Sequence, residues 1–258
     1  MAKHTSYENQ NIKKQDGAQS IHRAIALIHV VAKHNQSGAK LSKIARCVEL
    51  PSSTTHRILN VLVDEGLINY NSQSRLYHLG IGLYILGSEA KQYQLRDIYK
   101  STLENVAEQT GDTAFLVIRE GYDVLCIDRV VGSDRIKVLS FDVGDRRPLG
   151  VGAGSLAILA SLPEDQVNKI VQHNEPRYAF FRGFAPEDLK RMIQSYRTDG
   201  YAVNSVTPHI VSVGVCLRDC AGDVLGAISV SGIVSKMDTE EQKKIARLIQ
   251  KEINSNRH

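Results

Sequence analysis

Residues 41–79 leave the chain little freedom of architecture, because a proline separates two amphipathic helices and a β-prone hairpin follows directly. Leu41, Ile44, Ala45 and Val48 recur at the i, i+3, i+4, i+7 spacing of an apolar helix face. Glu49-Leu50-Pro51 ends that helix: the residue before a proline is pushed out of the helical region, while Pro51 suits the first turn of a new helix. A second helix is predicted over residues 52–65, with Ile58, Leu59, Leu62 and Val63 as its apolar stripe and Gly66 as a left-handed cap. Residues 67–70 and 75–79 are β-prone runs around Asn71-Ser72-Gln73-Ser74, which has turn composition. Helix, tight turn, helix and hairpin make the layout of a winged helix-turn-helix DNA reader.

The second helix does not open on apolar residues. It carries Ser52, Ser53, Thr54, Thr55, His56 and Arg57, short donors and one fork-shaped cation suited to phosphates and to base edges in a major groove. Arg75 lies beside the hairpin tip, where a cation meets a phosphate. The same Ser and Thr also suit the capped start of an ordinary surface helix, and Arg75 also suits a solvated surface. Charge favours DNA: residues 1–95 hold 11 Lys and Arg against 6 Asp and Glu, whereas residues 96–258 hold 21 against 22.

A polar, disordered tail is expected over residues 1–19, followed by a DNA-binding domain over 20–80, a linker helix over 81–95 and an effector-binding and oligomerisation domain over 96–258. The segment 20–32 is predicted as the first helix, with Ser20 as its cap and an apolar face too broad to cover only a small core. Ile81, Leu83, Tyr84, Ile85, Leu86 and Ala90 make the linker helical, and another helix is expected over 95–109, ending at Gly111. Strands are expected over 113–119, 122–131, 136–141, 201–206, 211–217 and 224–230, and helices over 152–162, 165–173, 186–198 and 238–254. Asp238 and Glu241 have capping-box spacing. The order predicts an α+β sheet with helices packed on it.

Leu50-Pro51-Ser52-Ser53-Thr54-Thr55-His56-Arg57-Ile58-Leu59 and Leu62-Val63-Asp64-Glu65-Gly66-Leu67-Ile68 resemble the DNA-binding domain of the IclR family, the isocitrate lyase regulator family of bacterial transcription factors. Gly144-Asp145-Arg146-Arg147-Pro148-Leu149, Gly200-Tyr201-Ala202-Val203 and Ala227-Ile228-Ser229-Val230-Ser231-Gly232 resemble that family's effector-domain signatures, in its order. The resemblance runs from about Ser20 to near the C-terminus and implies a GAF-like effector domain and a role for the first helix in dimer contacts.

Ser229 and Ser231 alternate with Ile228 and Val230, so both hydroxyls share one strand face. By resemblance, Ala153 and Gly154 offer backbone donors at a helix start, and Asn204, Ser212, Ser229 and Ser231 supply side-chain contacts. Ile136 and Leu139 form an apolar wall, completing a small concave site for a carboxylate metabolite. The chain departs from the family where Gly152-Ala153-Gly154-Ser155-Leu156-Ala157 replaces a Thr-Ala-x-Gly-Lys-Ala stretch, losing its lysine. Thr207-Pro208-His209 lacks the acidic residues common there, and Asn204 stands where a carboxylate is often found; an amide both donates and accepts, which changes the ligand it fits.

Catalysis is not expected. Gly150-Val151-Gly152-Ala153-Gly154-Ser155 completes neither a dinucleotide loop nor a P-loop, and Gly154-Ser155 lacks a nucleophile elbow. Cys47, Cys126, Cys216 and Cys220 lack zinc spacing, no metal or cofactor is expected, and reduced thiols are the default even for Cys216 and Cys220. No apolar run is long enough to span a bilayer, and the polar start lacks a signal-peptide core, so the expected location is the cytoplasm. The predicted function is a transcriptional regulator, repressor or activator, that binds an operator in double-stranded DNA. Its expected form is a homodimer or a dimer of dimers, controlled by a small organic acid. The alternative is a ligand-sensing scaffold acting through protein partners, but Ser, Thr, His and Arg on the recognition face favour DNA over a protein.

Overall fold

The computed structural model describes residues 18–89, 94–139, 141–181, 184 and 186–256. Of the tail expected over 1–19, residues 1–17 lie outside the described residues. The chain divides into two compact units, Met1–Lys91 and Gln92–His258.

In the first unit, α1 (Gln19–Lys33), α2 (Leu41–Cys47) and α3 (Ser52–Asp64) precede the hairpin β1 (Ile68–Asn71) and β2 (Leu76–Leu79), and α4 (Ile81–Glu89) follows. Leu27, Val31, Ile44, Leu59, Leu62, Ile68 and Tyr77 form one core among them. α1 starts one residue before the expected cap: Ala18 occupies the N-cap, and no side chain caps the helix. Gly66 takes the expected left-handed conformation (φ 69°), and Leu67 N–H reaches back to the Leu62 carbonyl at 2.9 Å to close α3. In the wing, Asn71 Oδ1 accepts the Gln73 and Ser74 amides, both at 3.0 Å, which folds the tip into an Asx turn.

The turn between α2 and α3 uses the same closure with an unsuited residue. Leu50 N–H donates to the Ala45 carbonyl at 3.1 Å, and Glu49 sits at φ 54°, where an L side chain costs about 1–2 kcal/mol. Glycine at this exposed position relieves that strain but loses roughly 0.5–1 kcal/mol more backbone entropy on folding. Glu49→Gly is therefore expected to stabilise the winged unit by about 0.5–1 kcal/mol, read as a rise in the urea midpoint; an unchanged or lower midpoint refutes it.

The second unit opens with α5 (Leu95–Ile98) and α6 (Lys100–Thr110), where one helix over 95–109 is expected. The break falls at Tyr99 (φ −98°, ψ 10°), which is buried in the core with Leu103 and Ile253. Then come β3 (Thr113–Glu120), β4 (Asp123–Val130), β5 (Arg146–Pro148), α7 (Ala153–Ala160), α8 (Glu164–Tyr178) and α9 (Pro186–Asp199). β6 (Ala202–Thr207), β7 (Ile210–Arg218), β8 (Val224–Ile233), a 3-10 turn and α10 (Thr239–Ser255) complete the unit. The strands form one antiparallel sheet in the order β5-β4-β3-β8-β7-β6. Alternation along the strands splits the core in two. Phe115, Val117 and Ala227 face α7, α8 and α9, whereas Leu116, Ile228 and Val230 face α6 and α10.

Among the described residues of 136–141 the expected strand does not form. The edge of β4 is taken by residues 144–148 instead: Cys126 N–H donates to the Asp145 carbonyl at 3.1 Å, Gly144 N–H to the Cys126 carbonyl at 2.8 Å, and β5 pairs next. Residues 136–139 therefore run without a partner strand. α8 continues past its expected end at His173 and through Pro176, because its last turn is held from outside. Asn174 Nδ2 donates to the Tyr122 carbonyl at 2.6 Å, and the buried Tyr178 hydroxyl donates to the Leu149 carbonyl at 2.6 Å. α10 begins as its spacing predicts, with Asp238 Oδ1 accepting the Glu241 amide at 2.9 Å.

Candidate functional site

On α3 the helical period divides the polar opening into two faces. Ser53, His56, Arg57 and Asn60, at i, i+3, i+4 and i+7, are all exposed, as is Ser52, while Thr54 is half-buried. Thr55 is not available to DNA. It shares the inward face with Leu59 and Leu62, is fully buried, and its hydroxyl bonds back to the Pro51 carbonyl at 3.1 Å. Asn60 is the member of the outward face not singled out from sequence, although it continues the spacing that His56 and Arg57 begin. Arg75 is exposed at the wing tip with φ 56°.

In the second unit a cavity of about 40 Å³ lies between the sheet face of β3, β7 and β8 and the start of α7. Its walls are Phe115, Val117, Val124, Val138, Phe141, Val151 and Ile210; its polar groups come from Arg147, Ser155, Thr207, Ser212, Ser229, Ser231 and the backbone of Gly152, Ala153 and Gly154. Ser212 and Ser231 are cross-strand partners with their hydroxyl oxygens 2.7 Å apart. Thr113, opposite Ser231 on the other side, carries a buried hydroxyl without a hydrogen-bond partner.

α7 brings its first amides to this cavity. They precede the first helical hydrogen bond, Leu156 N–H to the Gly152 carbonyl, and the first turn holds no acid to compete for them. The turn leading in is clamped: the Gly150 amide donates to Ser155 Oγ at 2.7 Å, and Tyr178 holds Leu149. Burial pushes the Tyr178 hydroxyl up to about 12, so it stays a donor. The glycine-rich stretch thus serves close packing, since a Cβ on Gly154 would come within 3.0 Å of Ser229 Oγ.

Ala153, Gly154, Ser212, Ser229 and Ser231 are brought together around this cavity as expected. Asn204 is not: it faces the same side as its partner Ser212, but its amide meets Met192 Sδ at 3.8 Å and it does not line the cavity. Ile136 and Leu139 are 60% and 54% exposed, and Val138 and Phe141 from the same unpaired segment take the expected place in the wall. Cys126 has its thiol pushed up to about 12 by burial, and all four cysteines are free. Among the described residues no group of His, Cys, Asp or Glu is placed to hold a metal, and no helix is long and apolar enough to cross a membrane.

A family model described as the bacterial transcriptional regulator IclR C-terminal domain matches residues 88–254, and one described as the IclR helix-turn-helix domain matches residues 20–72. The chain belongs to the IclR family. The two IclR matches enclose the cavity and α3 respectively, and this family's members are transcriptional regulators, not enzymes. The chain is 26% identical to the transcriptional repressor IclR of Escherichia coli K12, over 90% of this chain and 86% of that one. It is 28% identical to the repressor AllR of Salmonella paratyphi A, over 88% and 84%. Among solved structures, the Thermotoga maritima IclR matches with a TM-score of 0.73 at 23% identity, covering 92% of this chain and 97% of that one. An IclR homolog of Microbacterium hydrocarbonoxydans, complexed with 4-hydroxybenzoate, matches with a TM-score of 0.74 at 21% identity, covering 92% and 98%. The IclR architecture of a winged helix-turn-helix followed by a GAF-like domain is the one found here.

Proposed function

We propose that this transcriptional regulator acts in the cytoplasm as a repressor, inserting α3 into the major groove of its operator as a homodimer and answering to a small organic acid bound beside α7. The outward face of α3 carries the reading. Ser53, His56, Arg57 and Asn60 offer donors and acceptors to base edges and phosphates, and the opposite face is committed to the core. Arg75 at the wing tip supplies a phosphate contact. Repression is the sense of regulation that the relatives IclR and AllR support.

A second copy explains the apolar surface left on the first unit. Ile21 and Ile25 on α1 and Ile81, Tyr84, Ile85 and Leu86 on α4 are each more than 40% exposed, and α4 buries no residue. Two dimers associating through the sensor units are the larger assembly this reading allows; light scattering on the purified chain decides between them.

The effector reading is supported by convergent polar groups in an apolar cavity: the α7 amides and the hydroxyls of Ser212, Ser229 and Ser231. The homolog complexed with 4-hydroxybenzoate supports a carboxylate-bearing ligand. Such a ligand changes operator affinity only through its differential affinity for two states of the assembly.

The test is fluorescence-anisotropy binding to the DNA beside the protein's own gene, against unrelated DNA of equal length, over a salt series. Selective, salt-sensitive binding is expected, and an organic acid should alter it. Equal binding to both fragments removes the operator reading for that site. Replacing Ser229 and Ser231 by Ala is expected to cut effector affinity about tenfold, a loss of roughly 1–1.5 kcal/mol, with basal DNA binding retained; an intact response removes both from the site.

A further inference from the structure

We propose that Arg147 makes the cavity selective for an anionic effector, gripping a carboxylate with a guanidinium anchored over the Phe141 ring. This rests on the effector reading above and adds to it the residue that sets the ligand's charge.

The register of β5 separates two adjacent arginines. Arg147 pairs with Val124, and directly opposed residues share a sheet face, so both line the cavity. Arg146 points to the other face, where its second guanidinium nitrogen donates to Glu120 Oε1 at 3.0 Å. Sequence alternation alone could not say which of the two turns inward.

Arg147 is held ready for a planar anion. Its guanidinium carbon lies 4.3 Å from the Phe141 ring centre, and Phe141 leans in turn on Phe115 with centroids 6.3 Å apart. This cation–π contact anchors the guanidinium at the cavity wall, and a guanidinium fork matches the two oxygens of a carboxylate in a way a lysine does not.

The surroundings set the sign. Among the described residues no Asp or Glu lines the cavity, and the other lining side chains are apolar or hydroxyl-bearing. Asp145, two residues before Arg147, is exposed outside the lining, although its charge reaches Arg147. A cation and the amino end of α7 therefore act on the same small, largely apolar space, where charges interact more strongly than in water. Such charge-assisted pairs are roughly twice as strong as neutral ones, so losing the pair should cost about 10- to 100-fold in affinity.

The experiment uses the full chain and a probe panel of lactate, malonate, benzoate and 4-hydroxybenzoate, each against its amide. Binding is read by thermal shift and by change in operator anisotropy, for the unaltered protein, Arg147→Gln, Arg147→Lys and the Ser229/Ser231→Ala double variant. At least one acid is expected to bind the unaltered protein about tenfold or more tightly than its amide. Arg147→Gln should weaken that acid about 10- to 100-fold while sparing the amide, so the preference narrows or reverses. Arg147→Lys should keep the preference at several-fold lower affinity, and this variant carries the test should Arg147→Gln not fold. Acid affinity retained in Arg147→Gln but lost in the serine variant overturns the role of Arg147 and leaves the effector reading standing. Failure of every acid to bind the unaltered protein at millimolar concentration overturns both.

Discussion

Arg57→Ala is expected to weaken operator binding on the order of a hundredfold while leaving the fold intact, because each bidentate base or phosphate contact is worth about 1–3 kcal/mol and a dimer loses two. Arg57 is exposed on α3 and one residue clear of the face that Thr55, Leu59 and Leu62 bury. Its removal opens no core cavity, so the thermal midpoint should move by no more than about 2 °C. Thr55→Val supplies the contrast. It deletes the hydroxyl bonded to the Pro51 carbonyl inside the core, with an expected cost of about 1 kcal/mol in stability and little change in DNA affinity. Anisotropy titrations and urea unfolding of both variants separate the two faces. Wild-type operator affinity in Arg57→Ala would remove α3 from its assigned place, and a large loss in Thr55→Val with stability unchanged would mean that the inward face is misassigned.

The contrast between these neighbours shows what was legible in the sequence. Helical period identified α2 and α3, and β-prone runs around a turn identified the wing, because each is short, locally specified and bounded by Pro51, Gly66 and the Asn71 turn. The same period places Thr55 inward, at four and seven residues before Leu59 and Leu62, and Asn60 outward; a run of six polar residues hides this when read by composition. In the sensor unit, β-branched runs identified β3, β4, β7 and β8, whose pairing is antiparallel and largely local. The segment 136–141 has the same composition but no edge to join, since residues 144–148 occupy β4. Propensity cannot report that competition. Its consequence reaches the site: Val138 and Phe141, not Ile136 and Leu139, turn into the cavity. Asn204 has the right strand face, yet Met192 from α9 occupies it, a contact between residues of distant elements that no local pattern encodes. Arg147, Ser155 and Tyr178 were beyond sequence reasoning for the same reason. Each works through a partner supplied by another element or by the turn into α7.

Gly214→Ala is expected to damage both the stability of the sensor unit and its effector binding. Gly214 lies on β7 where α7 crosses the sheet, and a Cβ there would stand 2.5–2.6 Å from the backbone of Ala153 and Gly154. Side-chain atoms could rotate away, but here the obstacle is backbone. α7 is itself buried at all eight residues, so it has nowhere to retreat without breaking its own packing. Relieving the clash requires a shift of about 1 Å, at the upper end of the roughly 1–3 kcal/mol cost of overpacking. For a unit of this size that lowers the thermal midpoint by about 6–12 °C. The displaced amides are those proposed to meet the effector, so on that proposal effector affinity should fall by at least about tenfold, while operator binding by the winged unit stays within about threefold. Gly154→Ala provides the measure of scale. Its Cβ would meet the Val117 methyl at 2.9 Å and Ser229 Oγ at 3.0 Å, side-chain atoms that can give way. It should therefore cost less than about 1.5 kcal/mol yet crowd the cavity directly. Calorimetry and effector titration of both variants should thus diverge: a large stability loss for position 214, and mainly a binding loss for position 154. Equal midpoints for the two would mean that α7 does not rest on β7 as closely as this packing requires, and the cavity beneath it would have to be redrawn.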